Sequence, residues 1–345
     1  MLWHHALPTR CITHLSCGLQ THAIKLLRGL GAIESPVTII RSFCNADLPT
    51  MLEIWIQHWS SIGPPPIINA AKFEQAILAR TFFDPSSILL ATTDEGVQGW
   101  CHYAPCRTSE KTAVICAICF ATACDTSARG QLLDAAQRRI AEAGFDGVRV
   151  GVVRDDQQGY AGLEPIGHGI AIPLADVRTT TLLQQSGYSP QRSVLRMAAS
   201  ALSYRPPVSR EALQLRRTSQ LRVGAYTYSD SRLASCMSHL DIEQHRLVDR
   251  SGQELARVNL WVSDPEAEVM SPSMVILDIA QAHQRGHLDP AESYLIGALV
   301  QSLAQRRIQR IETAVDSDKT ELIGQLQRLH FQTHDEGVRW AKSLT

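Results

Sequence analysis

The stretch of this sequence best suited to chemistry runs from residue 113 to residue 144. Ala113-Val-Ile-Cys-Ala-Ile-Cys-Phe120 is continuously apolar and rich in β-branched residues, which predicts a strand buried on both faces. Gln131 to Gly144 has Leu132, Leu133, Ala136 and Ile140 at helical spacing, with Asp134, Arg138 and Glu142 along another face. That pattern predicts an amphipathic helix closed by a glycine. Between them lies Ala121-Thr-Ala-Cys-Asp-Thr-Ser-Ala-Arg-Gly130, a short loop of small and polar residues. A strand, a tight loop and a helix N-terminus together present backbone N–H groups to an anion, above all a phosphate.

Other chemistry is less well supplied. Cys116 and Cys119 have metal-ligand spacing, but residues three apart on a strand point to opposite faces, so they read as small core residues. Cys124, beside the predicted helix start, is a candidate nucleophile, because a helix N-terminus lowers a thiol pKa; no partner histidine is placed by spacing. His283 and His287, four apart, could offer two metal ligands, yet Gly286 separates them and no third ligand is evident. His330 and His334 straddle a predicted helix end in the same way.

The 345 residues fit two domains, and a 44% hydrophobic fraction supports proper cores. A net charge of -1 speaks against a general nucleic-acid binder. The longest apolar run, Ala113 to Cys124, is too short to span a membrane. Nine cysteines without a regular framework suggest a reducing compartment such as the cytoplasm. Residues 1–35 contain Arg10, Lys25, Arg28 and four histidines but no acid before Glu34. They read as a targeting peptide, a disordered leader or the product of a start codon placed too far upstream.

The expected elements follow in order. Val37 to Phe43 reads as a strand, Asp47 caps a helix carrying Leu52, Trp55, Ile56 and Trp59, and a second helix spans about Ala70 to Thr81 with Phe73, Ile77 and Phe82 inward. Ile88–Thr93 and Val97–Tyr103 form a hairpin, then come the buried strand and its helix. Val148–Val153 is another strand. A glycine-rich run from Gly159 to Gly169, a helix from Asp176 and a strand from Tyr188 to Met197 complete the first half. After a proline-containing linker at 204–209 the pattern repeats, with Leu213–Arg217 as its first strand, Arg246–Val262 as the hairpin, Met274–Ala280 as the buried strand and Pro290–Arg306 as its helix.

This order of elements resembles the GNAT superfamily of acetyltransferases, twice over. Ile40-Arg41 with Ala46-Asp47-Leu48-Pro49 resembles the family's opening strand and helix, and Ser186-Gly187-Tyr188 its closing helix-to-strand junction. The resemblance implies an α/β (α+β) fold of two tandem GNAT-like domains, each a mixed, mostly antiparallel sheet flanked by helices. Their expected extents are 36–200 and 210–345, joined by a linker at 201–209. It also implies acetyl-CoA as co-substrate, held by Phe120, Ala121, Thr122, Asp125, Ser127, Ala128, Arg129, Gly130 and Gln131. The acceptor would be the primary amine of a small molecule or protein, and assembly as a homodimer is open.

The family's phosphate loop, Gln or Arg, two residues, Gly, one residue, Gly or Ala, falls on Asp125 to Gly130, where only Gly130 matches. Asp125 places a carboxylate where a pyrophosphate would lie, and Ala128 gives up backbone freedom. The family's proton-donating tyrosine falls on Leu183 and Leu326. Tyr160, His168 and Asp176, in the stretch where the resemblance would open a substrate pocket, are the expected replacements, with His102 and Tyr103 nearby. Two readings follow: an N-acetyltransferase working mainly through its first half, or a catalytically inactive binding or regulatory relative.

Overall fold

The computed structural model describes residues 37–344 except 82, 155, 157 and 158. The leader expected at 1–35 and the inward placement of Phe82 lie outside the described residues.

The first half opens with strand β1 (Ile39–Ser42), the edge of the sheet. Helix α1 (Leu48–Ser60) starts with Pro49 in its first turn, where no amide donor is needed. Its buried residues Met51, Ile54, Trp55, His58 and Trp59 recur at three- and four-residue intervals, giving one face to the core. The chain then forms α2 (Ala70–Phe73), which widens into a π turn over Glu74–Leu78 rather than continuing to Thr81. The π turn brings Phe73, Ala76 and Ile77 together into the core. Strands β2 (Ile88–Thr93), β3 (Gly96–Pro105) and β4 (Thr112–Phe120) form an antiparallel meander. Helix α3 (Thr126–Glu142) leads to β5 (Gly147–Val150), which pairs with β4 in parallel.

Strand β4 carries a bulge. His102 and Tyr103 of β3 lie opposite Ala117 and Ile115, so Cys116 is the extra residue. The bulge resets the alternation, and Cys116 and Cys119 both enter the core beneath α1 instead of facing opposite ways. Both are fully buried, as core residues are.

Beyond β5 the chain turns back through β6 (Ile172–Pro173), α4 (Val177–Gln185) and β7 (Ser189–Ser200). The second half begins with α5 (Arg210–Thr218), a helix capped by Ser209. Leu213–Arg217, expected as a strand, therefore lies on this helix, and the strand is β8 (Ser219–Ala225). The Ser209 cap and the acidic first turn with arginines in the last turn favour the helix. Helix α6 (Ser231–Met237), strands β9 (Leu240–Asp249), β10 (Glu254–Ser263) and β11 (Met274–Asp278), and helices α7 (Ala280–Arg285) and α8 (Pro290–Leu303) follow. Strand β12 (Arg310–Asp316), α9 (Thr320–Arg328) and β13 (Gln332–Ser343) close the chain.

The two halves share one sheet, in the order β1-β2-β3-β4-β5-β13-β7-β12-β11-β10-β9-β8, with β6 pairing β13 off that path. The last strand of the sequence thus sits between β5 and β7 of the first half, while β7 pairs with β12 of the second. Each half completes its sheet with a strand from the other. Gly337 marks the tightest point of this exchange: a Cβ there would lie 2.0 Å from the Ile170 carbonyl oxygen.

Candidate functional site

In each half two parallel strands part at the sheet centre. Pairing of β4 with β5 ends at Ile115 and Val150, although β4 runs on to Phe120. Pairing of β11 with β12 ends at Ile276 and Glu312, although β12 runs on to Asp316. Such a gap leaves backbone donors of the longer strand facing it.

In the first half a side chain of α1 meets a donor at the gap. The Phe120 N–H donates to His58 Nδ1 at 3.2 Å, and His58 Nε2–H donates to Asp176 Oδ2 at 3.0 Å. An Arg178 guanidinium N–H also donates to Nδ1, at 2.7 Å. These bonds assign the proton to Nε2. His58 and Asp176 are essentially sealed from solvent. Asp176 also caps α4 by accepting from the Thr179 N–H at 3.0 Å. Burial pushes the Asp176 carboxyl up, but the hydrogen bonds from His58 and Thr179 hold it below its ordinary value.

Several donors and acceptors of the loop after β4 are met by the protein itself. The Ala121 N–H continues the pairing with β3 through the Gln98 carbonyl, and Cys124 N–H donates to the Ala121 carbonyl. Asp125 caps α3, its Oδ1 accepting from Ala128 N–H at 2.7 Å. Arg129 folds back onto the Cys124 carbonyl, and Arg178 reaches the Ala121 carbonyl at 3.4 Å. The two guanidiniums lie 6.0 and 5.9 Å from the ring centroid of buried Phe120. Thr122, Asp125, Thr126 and Ser127 are exposed, Ala128 is buried, and Gln131 donates to the Ser127 hydroxyl. Cys124 is not activated by the helix start: burial dominates and pushes its thiol up to about 11.

In the second half it is His283 whose Nε2 accepts a donor at the gap, the Asp316 N–H at 3.2 Å. Gly286 ends α7 in a left-handed conformation. Gln325 of α9 accepts from Leu288 N–H and donates to the Leu288 carbonyl. Asp289 and Glu292 form a reciprocal capping box at the start of α8. Among the described residues no group of three or more histidine, cysteine or acidic side chains could hold a metal ion.

Tyr160, His168 and Asp176 are all buried, each in a different pair. The Tyr160 hydroxyl is 2.9 Å from His102 Nδ1, and its ring stacks on Trp55. Burial pushes the Tyr160 hydroxyl well up and the His102 imidazole down to about 4. His168 Nδ1 lies 2.5 Å from Glu312 Oε2 on β12, an ion-pair contact without hydrogen-bond alignment. No hydrogen bond joins Tyr160, His168 and Asp176 to one another among the described residues. The glycine run between them packs backbone against backbone: a Cβ on Gly167 would lie 2.4 Å from the Tyr160 carbonyl oxygen. The cavity beside this run is about 10 Å³, room for at most one water. Leu183 and Leu326 are fully buried in the cores beneath α3 and α8.

His58, Arg178, Gln325 and Glu312 carry these arrangements without having stood out in the sequence. His58 lies three residues after Trp55 in the apolar stripe of α1, and a histidine inside such a stripe was its only signal.

No protein-family model and no curated protein matches this sequence. Solved structures do match in fold. A tandem GNAT protein from the clavulanic acid biosynthesis pathway, without AcCoA, is 13% identical with a TM-score of 0.61, covering 90% of this chain and 99% of that one. A GCN5-related N-acetyltransferase from Sphaerobacter thermophilus is 12% identical with a TM-score of 0.57, over 89% and 96% of the two chains. The GCN5-related glucosamine N-acetyltransferase region of a fungal multi-domain GH3 β-N-acetylglucosaminidase is 13% identical with a TM-score of 0.64 over 91% of this chain, which spans 39% of that protein. With its paired gaps and repeated order of elements, the chain carries the GNAT fold in tandem.

Proposed function

We propose that this tandem GNAT-fold chain is a binding or regulatory protein that does not transfer acetyl groups. The observation that carries the reading is the Phe120 N–H bond to His58, backed by the buried Asp176. It takes up a donor at the gap through which the resemblance would pass the arm of acetyl-CoA. The residues at the loop do not fit the coenzyme either. Asp125 already occupies the Ala128 N–H, and its exposed carboxylate would face the pyrophosphate. Two like charges 4 Å apart repel by about 1 kcal/mol in water and by about 4 kcal/mol at the effective dielectric of a protein surface. In the second half, Gln325, Asp289 and Glu292 take the equivalent donors.

One observation favours the other reading, an N-acetyltransferase acting on a primary amine. Arg129 and Arg178 both flank the loop at Phe120 and could offset the Asp125 charge. On that reading Tyr160, His168 and Asp176 would supply the proton transfers, after the buried pairs that hold them had opened.

Thiol release from acetyl-CoA, measured against a panel of primary amines, separates the two. The first reading predicts no amine-dependent release above the blank. Transfer that is lost in Arg178→Ala would establish the second.

A further inference from the structure

A cavity of about 620 Å³ opens where the exchanged strands meet, at the C-terminal end of β7 and the N-terminal ends of β12 and β13. It lies apart from both gaps and both loops. Its wall includes Arg205, Arg310, His330, His334, Ser203 and Gln332, and no carboxylate is among its lining residues. Glu312 and Asp335, close in the chain to lining residues, are already engaged: buried Glu312 by Arg310, Arg196 and His168, and Asp335 by Arg196. Arg310 directs one terminal N–H to Glu312, while its Nε is shielded from solvent and has no acceptor among the described residues. The Arg310 side chain as a whole is 40% exposed, so its guanidinium still reaches the cavity it lines. Tyr204 fixes the floor: its hydroxyl donates to the Leu329 carbonyl and its ring meets His330 edge-on at 5.8 Å. His330 holds the left-handed conformation that ends α9, with φ of 65°, and Ser203, also in the wall, has φ of 57°.

We propose that this cavity binds a small phosphorylated molecule, with Arg205 and Arg310 as its charged donors. Two guanidiniums offer fork-shaped donor sets that match phosphate oxygens, and the histidine and glutamine side chains and the serine hydroxyl supply further polar contacts. The volume falls in the range of small-molecule sites. The proposal goes beyond the preceding reading and does not depend on whether acetyl-CoA is used.

Calorimetric titration of the full chain with inorganic phosphate and with pyrophosphate tests it, with citrate as a carboxylate probe. Pyrophosphate is expected to bind and to raise the melting temperature. Arg205→Ala, at an exposed position, should weaken binding roughly tenfold or more, with the unfolding midpoint of the free variant unchanged. Arg129→Ala, at the α3 loop, should leave binding as it was. No heat from either phosphate probe would overturn the proposal. So would binding that Arg205→Ala does not weaken, binding lost in Arg129→Ala instead, or binding of citrate alone.

Discussion

Trp340 of the last strand lies opposite Val150 of the first half in antiparallel register, and its side chain is buried in that half's core with Leu183 and Tyr188. The end of the sequence therefore pairs with a strand about 190 residues earlier, a spacing that makes this pairing slow and entropically demanding to form. Because β7 returns the exchange by pairing with β12, neither half has a complete sheet alone.

Trp340→Ala should cost about 3–5 kcal/mol, the usual range for deleting a buried tryptophan. Unfolding should remain one transition, since the core it damages and the strand it sits on belong to different halves. Urea denaturation followed by far-ultraviolet circular dichroism and by tryptophan fluorescence checks this. Two separated transitions would show that the halves fold independently.

Two glycines should respond in opposite directions. At Gly337 a Cβ would meet the Ile170 and Ile172 carbonyl oxygens at 2.0 and 2.9 Å, so Gly337→Ala must force strands apart and lower the melting temperature sharply. At Gly130, on α3, a Cβ would meet nothing within 4 Å. Gly130→Ala should stabilise the protein by about 0.4–1 kcal/mol by restricting the unfolded chain. Thermal melts of both variants against the parent decide the matter.

Much of the fold could be read from residue patterns. The apolar run Ala113–Phe120 became the central strand β4, and the helix expected from Asp176 has that residue as its cap. The strand exchange was hidden, because alternation in β7 and β13 fixes which face of a strand is buried but not which strand lies beside it. The bulge at Cys116 was hidden for a related reason, since one extra residue resets the alternation without altering composition. At the candidate site the eroded loop was legible residue by residue. The bond between His58 and Asp176 was not, because they are 118 positions apart and no local spacing links them.

Acid should expose the buried Glu312. Burial pushes its carboxyl up, but the charge and contact of His168 and the Arg196 and Arg310 guanidiniums outweigh this and hold it at about 2, against an ordinary 4.5. With the folded value depressed, its contribution is complete above the unfolded value and is lost as the pH falls from about 4.5 through about 2. The size is about 3 kcal/mol, because each pH unit separating the folded from the unfolded value is worth about 1.4 kcal/mol. Glu312→Gln should lower stability at neutral pH and make the decline below pH 4.5 shallower. A pH series of urea midpoints with an unchanged acid limb in the variant would contradict this.

Tyr160 separates a structural from a catalytic role. Tyr160→Phe removes the bond to His102 and leaves a buried imidazole nitrogen unmatched, at a cost of about 1–3 kcal/mol. Stability should fall by that amount, with no accompanying loss of any amine-dependent thiol release. A variant as stable as the parent would show that the bond contributes nothing to the fold.

The most direct measurement is calorimetric titration of acetyl-CoA into the full chain beside His58→Ala/Asp125→Gly, with folding of each checked by circular dichroism. With the Phe120 N–H satisfied by His58 and the Ala128 N–H by Asp125, the parent should give no binding heat at millimolar ligand, and the variant should gain it. Saturable binding of acetyl-CoA to the parent, weakened by Arg178→Ala, would contradict the claim that the donors at the gap and loop are already taken.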